Sequence, residues 1–165
     1  MMNKGIELLL EAIPIVISQR KDVFFVIAGF PAEGARKFVN KNSLSDFVRI
    51  VSPLNYFDLP KLLSASDIGI DPKDSWTRQA SGKILQYMAA GLPVVCFDRE
   101  NNREYLGEGG QYCKEISAKS LAEGILKLIE EKQKMNFKGQ LNKKQIEKFS
   151  WDKSAEKIEK IYKLS

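Results

Sequence analysis

The residues most able to do chemistry lie in one stretch, 71–86, which reads DPKDSWTRQASGKILQ. Ser81, Gly82 and Lys83 open a segment whose apolar spacing predicts a helix. The first N–H groups of a helix have no partner within it, and the helix dipole makes that end positive. Gly82 lets an anion come close to the backbone, and Lys83 and Arg78 add positive charge. The pattern suits a cradle for a diphosphate. The plainer alternative is a serine-capped helix with a surface lysine. Gln86 falls one turn further on and is placed to bond a ribose hydroxyl. Lys4-Gly5 repeats the motif at the start of another predicted helix. A lysine there is unfavourable for the helix alone and makes sense if it meets an anion; the alternative is a terminal lysine that meets nothing.

Other chemistries are excluded. The 165 residues include no histidine, which removes Ser-His-Asp and Cys-His nucleophiles and most zinc sites. There is no GxxxxGK[ST] and no GxGxxG. With no DxD pair or histidine cluster to hold one, no metal is expected, and no other cofactor either; residues 71–74, DPKD, read as a loop. Cys96 and Cys113 lack CxxC spacing and sit in apolar runs, so they are expected to be reduced structural thiols.

The elements that would position these residues alternate between helix and strand patterns. Helices are predicted over residues 5–18, 31–40, 57–65, 81–90, 117–134, 136–148 and 152–164, with a helical turn over 102–106. Strands are predicted over 22–29, 47–51, 67–71 and 93–98, with a short edge strand over 111–113. The run DVFFVIAG reads as a strand buried on both faces. Pro31 is expected near the first helical position, Gly91 at the C′ position and Ser117 and Ser150 as N-caps. Strands separated by single helices imply right-handed βαβ units and a doubly wound, mostly parallel, Rossmann-like α/β sheet. Residues 1–165 are expected to form one domain, with ligands beyond the carboxyl ends of the strands.

The net charge of +5 is carried by the last third, where 13 lysines face 8 acids over residues 114–165. These alternate in sign and lack interleaved aromatics, so a solvated helical face is expected and no nucleic-acid partner. The chain shows no membrane-spanning run and no secretory signal, and a cytoplasmic location is expected.

The order KGIELLLEA, DVFFVIAG, VRIVSPL, DLPKLLSASDIGIDP, SGKILQYMAAGLPVV and FSW resembles the group 1 glycosyltransferases, retaining GT-B fold enzymes that use nucleotide-sugar donors. The likeness runs from about Lys4 to Tyr162 and covers only the C-terminal, donor-binding half of such an enzyme; YMAAGLPVV with DIGIDP upstream is its specific part. It implies that Lys4 contacts the donor diphosphate, that Ser81, Gly82 and Lys83 hold the phosphates, and that Leu54 lies where the nucleobase is met. Gln86 occupies the place of the family's second glutamate, on the ribose, and Arg78 that of the first, so both glutamates are absent. Arg78 is then expected to pair with donor phosphate, or the loop shifts register and Asp74 offers a carboxylate.

In the family this half opens with a strand, yet only Met1-Met2-Asn3 precede Lys4. The implied partners are a nucleoside diphosphate sugar and an N-terminal acceptor domain in the same or another chain. Peripheral membrane contact of the full enzyme and self-association through open strand edges also follow. Three alternatives stand beside this reading. One is a non-catalytic partner module with a degenerate nucleotide site. Another GT-B enzyme such as a sugar-nucleotide epimerase is weakened by the lack of histidine. A nucleic-acid binder would rest on the basic tail alone.

Overall fold

The computed structural model describes residues 5–73 and 81–163. Eight helices and five strands are formed among them: α1 Ile6–Gln19, β1 Phe25–Ala28, α2 Glu33–Lys41, β2 Val48–Val51, α3 Leu59–Ser64, β3 Gly69–Asp71, α4 Gly82–Ala89, β4 Val94–Phe97, α5 Glu100–Leu106, β5 Gly110–Cys113, α6 Ala118–Glu130, α7 Lys132–Gln145 and α8 Trp151–Lys163. All strand pairs are parallel, as single-helix crossovers require. β1 pairs with β2, Phe25 opposite Val48, and β4 lies between β3 and β5, with Val95 opposite Ile70 and Gln111. Two ladders therefore form, β1-β2 and β3-β4-β5, where the sequence suggests one sheet.

Both faces of β4 are covered. Val95 and Phe97 join one core with Ala12, Ile13 and Val16 of α1 and Leu121, Ile125 and Leu128 of α6. That core also holds Phe25 and Val48, so α1 and α6 join the two ladders. Val94 and Cys96 point the other way, against Ile84 and Met88 of α4 and Leu106. Burying each such side chain contributes about 2 kcal/mol. Helices on both faces of parallel strands make the fold doubly wound, as the crossover pattern predicts.

Three local expectations are corrected. β1 is not buried on both faces: Phe24 and Val26 are 58% and 42% exposed, because among the described residues only the Phe25 and Ile27 side meets the core. Pro31 stands outside α2, which begins at Glu33 with Ala32 as its N-cap. The long helix expected over 117–134 stops at Glu130, where Glu131 leaves helical geometry (φ −95°, ψ 62°). The chain then turns, and α7 runs past the residues that lead into β4 and β5. Little apolar surface holds α7. Its buried residues are Lys138, Gly139 and Asn142. The Lys138 amine donates to the carbonyls of Glu108 (2.8 Å) and Gly110, and the Asn142 amide donates to those of Leu92 (2.8 Å) and Gly109 (3.2 Å). A Cβ on Gly109 would run into the Asn142 amide, and one on Gly139 would run into the Gly91 carbonyl.

The expected punctuation is present elsewhere. Gly91 takes a left-handed φ of 74° after α4, Ser117 accepts from the Ser120 amide, and Ser150 accepts from that of Lys153. Cys96 and Cys113 are both free and buried, on opposite faces. Burial pushes the Cys113 thiol up to about 12, and burial with the nearby Asp71 charge pushes Cys96 up as well.

Candidate functional site

The parallel register places the carboxyl ends of β1 and β2 together, and those of β3 and β4 together. Gly29, Ser52, Pro72 and Asp98 are the exits. The helix that follows β3, α4, starts beside that edge. Its N-cap is Ser81, which is buried and extended but makes no side-chain capping bond, and no acid stands in its first turn. The Ile84 amide donates to the Ser81 carbonyl (3.0 Å), which leaves the amides of Gly82 and Lys83 as the helix's unclaimed donors by position. A Cβ on Gly82 would meet none of the described residues within 4 Å. Gln86 is half-buried on the next turn.

A second helix start reaches the same place. Gly5 caps α1 with a φ of 66°, and a methyl group there would overlap the Pro72 carbonyl. Only glycine permits this approach. The N-terminus of α1 thus abuts the exit of β3, a few residues before α4 begins. Lys4 and Arg78 lie outside the described residues.

Lys83 does not stand alone. Its Nζ lies 3.0 Å from Oδ1 of Asp71, the last residue of β3. The Asp71 side chain is wholly buried, whereas that of Lys83 is 42% exposed. Neither carboxylate oxygen of Asp71 has a hydrogen-bond partner among the described residues. The contact with Lys83 is one of charge and not of hydrogen-bond geometry. A buried carboxylate so poorly supplied is costly. The Tyr87 phenol, donating to the Ile70 carbonyl at 3.3 Å, is pushed up to about 12 by burial and by the Asp71 charge.

Two further basic residues lie at these strand exits. Lys73 is buried two residues beyond it, and Arg99 at the exit of β4 donates to the Lys73 carbonyl (3.5 Å). Sequence reasoning singled out neither Asp71, Lys73 nor Arg99. The available signal was Asp71 itself, a charge closing an otherwise apolar strand. Beyond β4, Arg103 forks onto Asp98 (2.5 and 2.7 Å) and lies 4.6 Å over the Tyr112 ring. That fork holds the Asp98 carboxyl below the usual carboxylate range.

Leu54 is half-buried after β2, more remote along the edge from α4. Beside it Tyr56 and Phe57 are 71% and 83% exposed and meet edge to face at 5.9 Å. Asn55 orders this turn by accepting from the Phe57 amide (3.0 Å). Among the described residues no three His, Cys, Asp or Glu gather as a metal site would need, and no helix is long and apolar enough to cross a membrane.

The family model for glycosyl transferases group 1 matches residues 1–131. The chain belongs to that family. Among curated relatives of this group 1 chain are spore coat protein SA of Bacillus subtilis, 27% identical over 96% of the chain and 45% of the relative. An uncharacterized glycosyltransferase of Methanocaldococcus jannaschii is 26% identical over 96% of the chain and 42% of its own length. The chain thus spans less than half the length of the curated relatives it matches.

Solved structures share the fold. A Staphylococcus aureus TarM mutant in complex with fondaparinux, alpha-GlcNAc-glycerol and UDP superposes with a TM-score of 0.82 at 20% identity, over 98% of this chain and 33% of that one. Sucrose-phosphate synthase from Thermosynechococcus elongatus gives 0.81 at 17%, over 99% and 43%. The C-terminal domain of the group 1 family protein LpcC from Francisella tularensis gives 0.74 at 17%, over 88% and 79%. This glycosyltransferase chain therefore has the fold of a GT-B C-terminal domain.

Proposed function

We propose that the chain is the donor-binding domain of a retaining glycosyltransferase, which transfers a hexose from a nucleoside diphosphate sugar to a saccharide or lipid-linked acceptor. The observation that carries this reading is that α1 and α4 each reach the exit of β3 from their N-terminal ends, Gly5 against Pro72 and Lys83 at Asp71. Two positive helix ends near one strand exit suit an anion, and a diphosphate is one.

In this reading Lys4, Arg78 and Lys83, with the backbone at Ser81 and Gly82, hold the diphosphate. They stabilise it as the sugar departs, which is where the catalytic gain would lie. Gln86 bonds the ribose, and Leu54 with the exposed Tyr56 and Phe57 meets the base. The UDP held by the TarM relative makes uridine the first base to try. The acceptor domain is supplied by the same or another chain, so the isolated domain transfers sugar poorly. Among the described residues β1 pairs with β2 alone, and its other edge supports pairing with a further strand or a second copy. A role in polysaccharide synthesis on the cytoplasmic side, with peripheral membrane contact of the full enzyme and without nucleic acid, metal or cofactor, completes the proposal.

Calorimetric titration with UDP, GDP and ADP tests it. Saturable binding of one nucleotide, weakened roughly ten- to a hundredfold in Lys83→Ala and in Lys4→Ala, is the expected result. Absence of binding to all three would count against a donor site in this chain. Arg78 and Gln86 favour one second reading, a non-catalytic partner module. A large gain in donor affinity on restoring both acids (Arg78→Glu with Gln86→Glu) would mark the site as degenerate.

A further inference from the structure

Asp71 is a charge that a phosphate cradle does not call for. It is fully buried at the exit of β3, both oxygens lack hydrogen-bond donors among the described residues, and Lys83 at 3.0 Å is its counter-ion. Lys83 is also the second residue of α4, beside the Gly82 and Lys83 amides, where a Cβ on Gly82 would meet none of the described residues. A phosphate seated there shares one ammonium with a carboxylate. Lysine has three donors, so it can serve both, but the carboxylate and the phosphate repel each other through a poorly solvated corner.

The penalty depends on the phosphate's charge. A nucleoside diphosphate esterified by a sugar has no terminal phosphate to ionise twice. Transfer breaks the bond between the sugar C1 and the diphosphate oxygen, which keeps the electron pair. The acceptor oxygen bonds C1 and its proton passes to solvent. The second ionisation of a terminal phosphate falls near pH 6, so the freed diphosphate carries about one more negative charge at neutral pH than the ester did.

Resting on the donor reading above, we propose that Asp71 sets the site's preference between donor and product: it disfavours the free nucleoside diphosphate relative to its sugar ester and so hastens product release. Lys83 holds the incoming donor, and the buried acid behind it makes the same lysine a poor keeper of the leaving group. Asp71 acts through charge and touches no reacting atom.

The test uses the 165-residue chain and the matched pairs UDP and UDP-glucose, GDP and GDP-glucose, ADP and ADP-glucose, titrated calorimetrically at neutral pH. In the wild-type chain the free diphosphate of the pair that binds is expected to be no more than about threefold tighter than its ester; a preference above about tenfold overturns the inference without any variant. Asp71→Asn, which keeps shape and removes charge, is expected to tighten both members and to shift the ratio about fivefold toward the free diphosphate. A ratio unchanged in a variant with wild-type thermal unfolding, or weaker binding of both members, overturns it too, and would make Asp71 a mere anchor for Lys83. Either result leaves the donor site intact. Failure of every pair to bind overturns the donor reading and this inference together.

Discussion

Lys138 and Lys83 are held in opposite ways. Lys138, on α7, is buried and gives its amine to the backbone carbonyls of Glu108 and Gly110. Lys83, on α4, remains 42% exposed and faces a buried carboxylate that has no hydrogen-bond partner among the described residues. The first arrangement matches a donor to neutral acceptors and ends there. Burial draws the Lys138 amine below the usual lysine range, yet the neighbouring carbonyls accept what it offers. The second leaves charge unspent on both partners and opens to solvent. Burial of a polar group is therefore no guide to its role; the completeness of its partners is. A neutral orphan such as Asn142 Oδ1 is tolerable in the α7 seam, whereas the buried Asp71 carboxylate rests on its ion pair with Lys83.

The contrast can be broken by substitution. Lys138→Met should cost the most stability, about 3 kcal/mol by urea unfolding, because two inward carbonyls lose their donor, while nucleotide affinity stays unchanged. Lys83→Met should cost less, about 2 kcal/mol, since its partner is buried but its own amine is partly solvated, and nucleotide binding should fall with it. If both variants lost stability equally and neither altered binding, the two corners would be alike and the distinction would fail.

Gly5→Ala sharpens the comparison from the other side of the α4 corner. A methyl group must push the Pro72 carbonyl away at a positive φ, so about 1–2 kcal/mol is expected, with weaker nucleotide binding because α1 retreats from β3.

The smallest effect is expected at the Asp98–Arg103 fork, which belongs to neither corner. Its folded-state carboxyl is held below its ordinary value, so the fork adds stability above that value and loses it as pH falls through the depressed one. Both side chains are partly solvated, 33% and 58% exposed, so Arg103→Gln should remove little stability at neutral pH and flatten the acid limb of stability against pH.

Much of this was legible in the residues. Alternating apolar runs, the Gly91 stop and the serine caps foretold the order of elements to within a few residues, since each depends on local spacing. The YMAAGLPVV segment carried the family. What was not legible depends on contacts between distant segments. α7 is polar along its length, and no periodicity announces that Lys138 and Asn142 will reach backbone carbonyls 28 to 50 residues away. β1 reads as fully buried because its composition is apolar; whether each face is covered is decided elsewhere in the chain. At the site, Lys83 was readable as a candidate for an anion, but its contact with Asp71 was not. Asp71 is twelve residues upstream on another element, and in the sequence it is one acid among 21.

The α7 seam constrains how this domain can change over time. Lys138 and Asn142 stand one helical turn apart and read only main-chain carbonyls, which every residue type presents. The exposed side chain at Glu108 can therefore change without weakening the clasp. Gly109 and Gly139 cannot, because each is pressed against a neighbour. A single inserted or deleted residue between 138 and 142, or within 108–110, would shift the donors out of phase with their carbonyls. The seam should accept substitution and refuse changes of length.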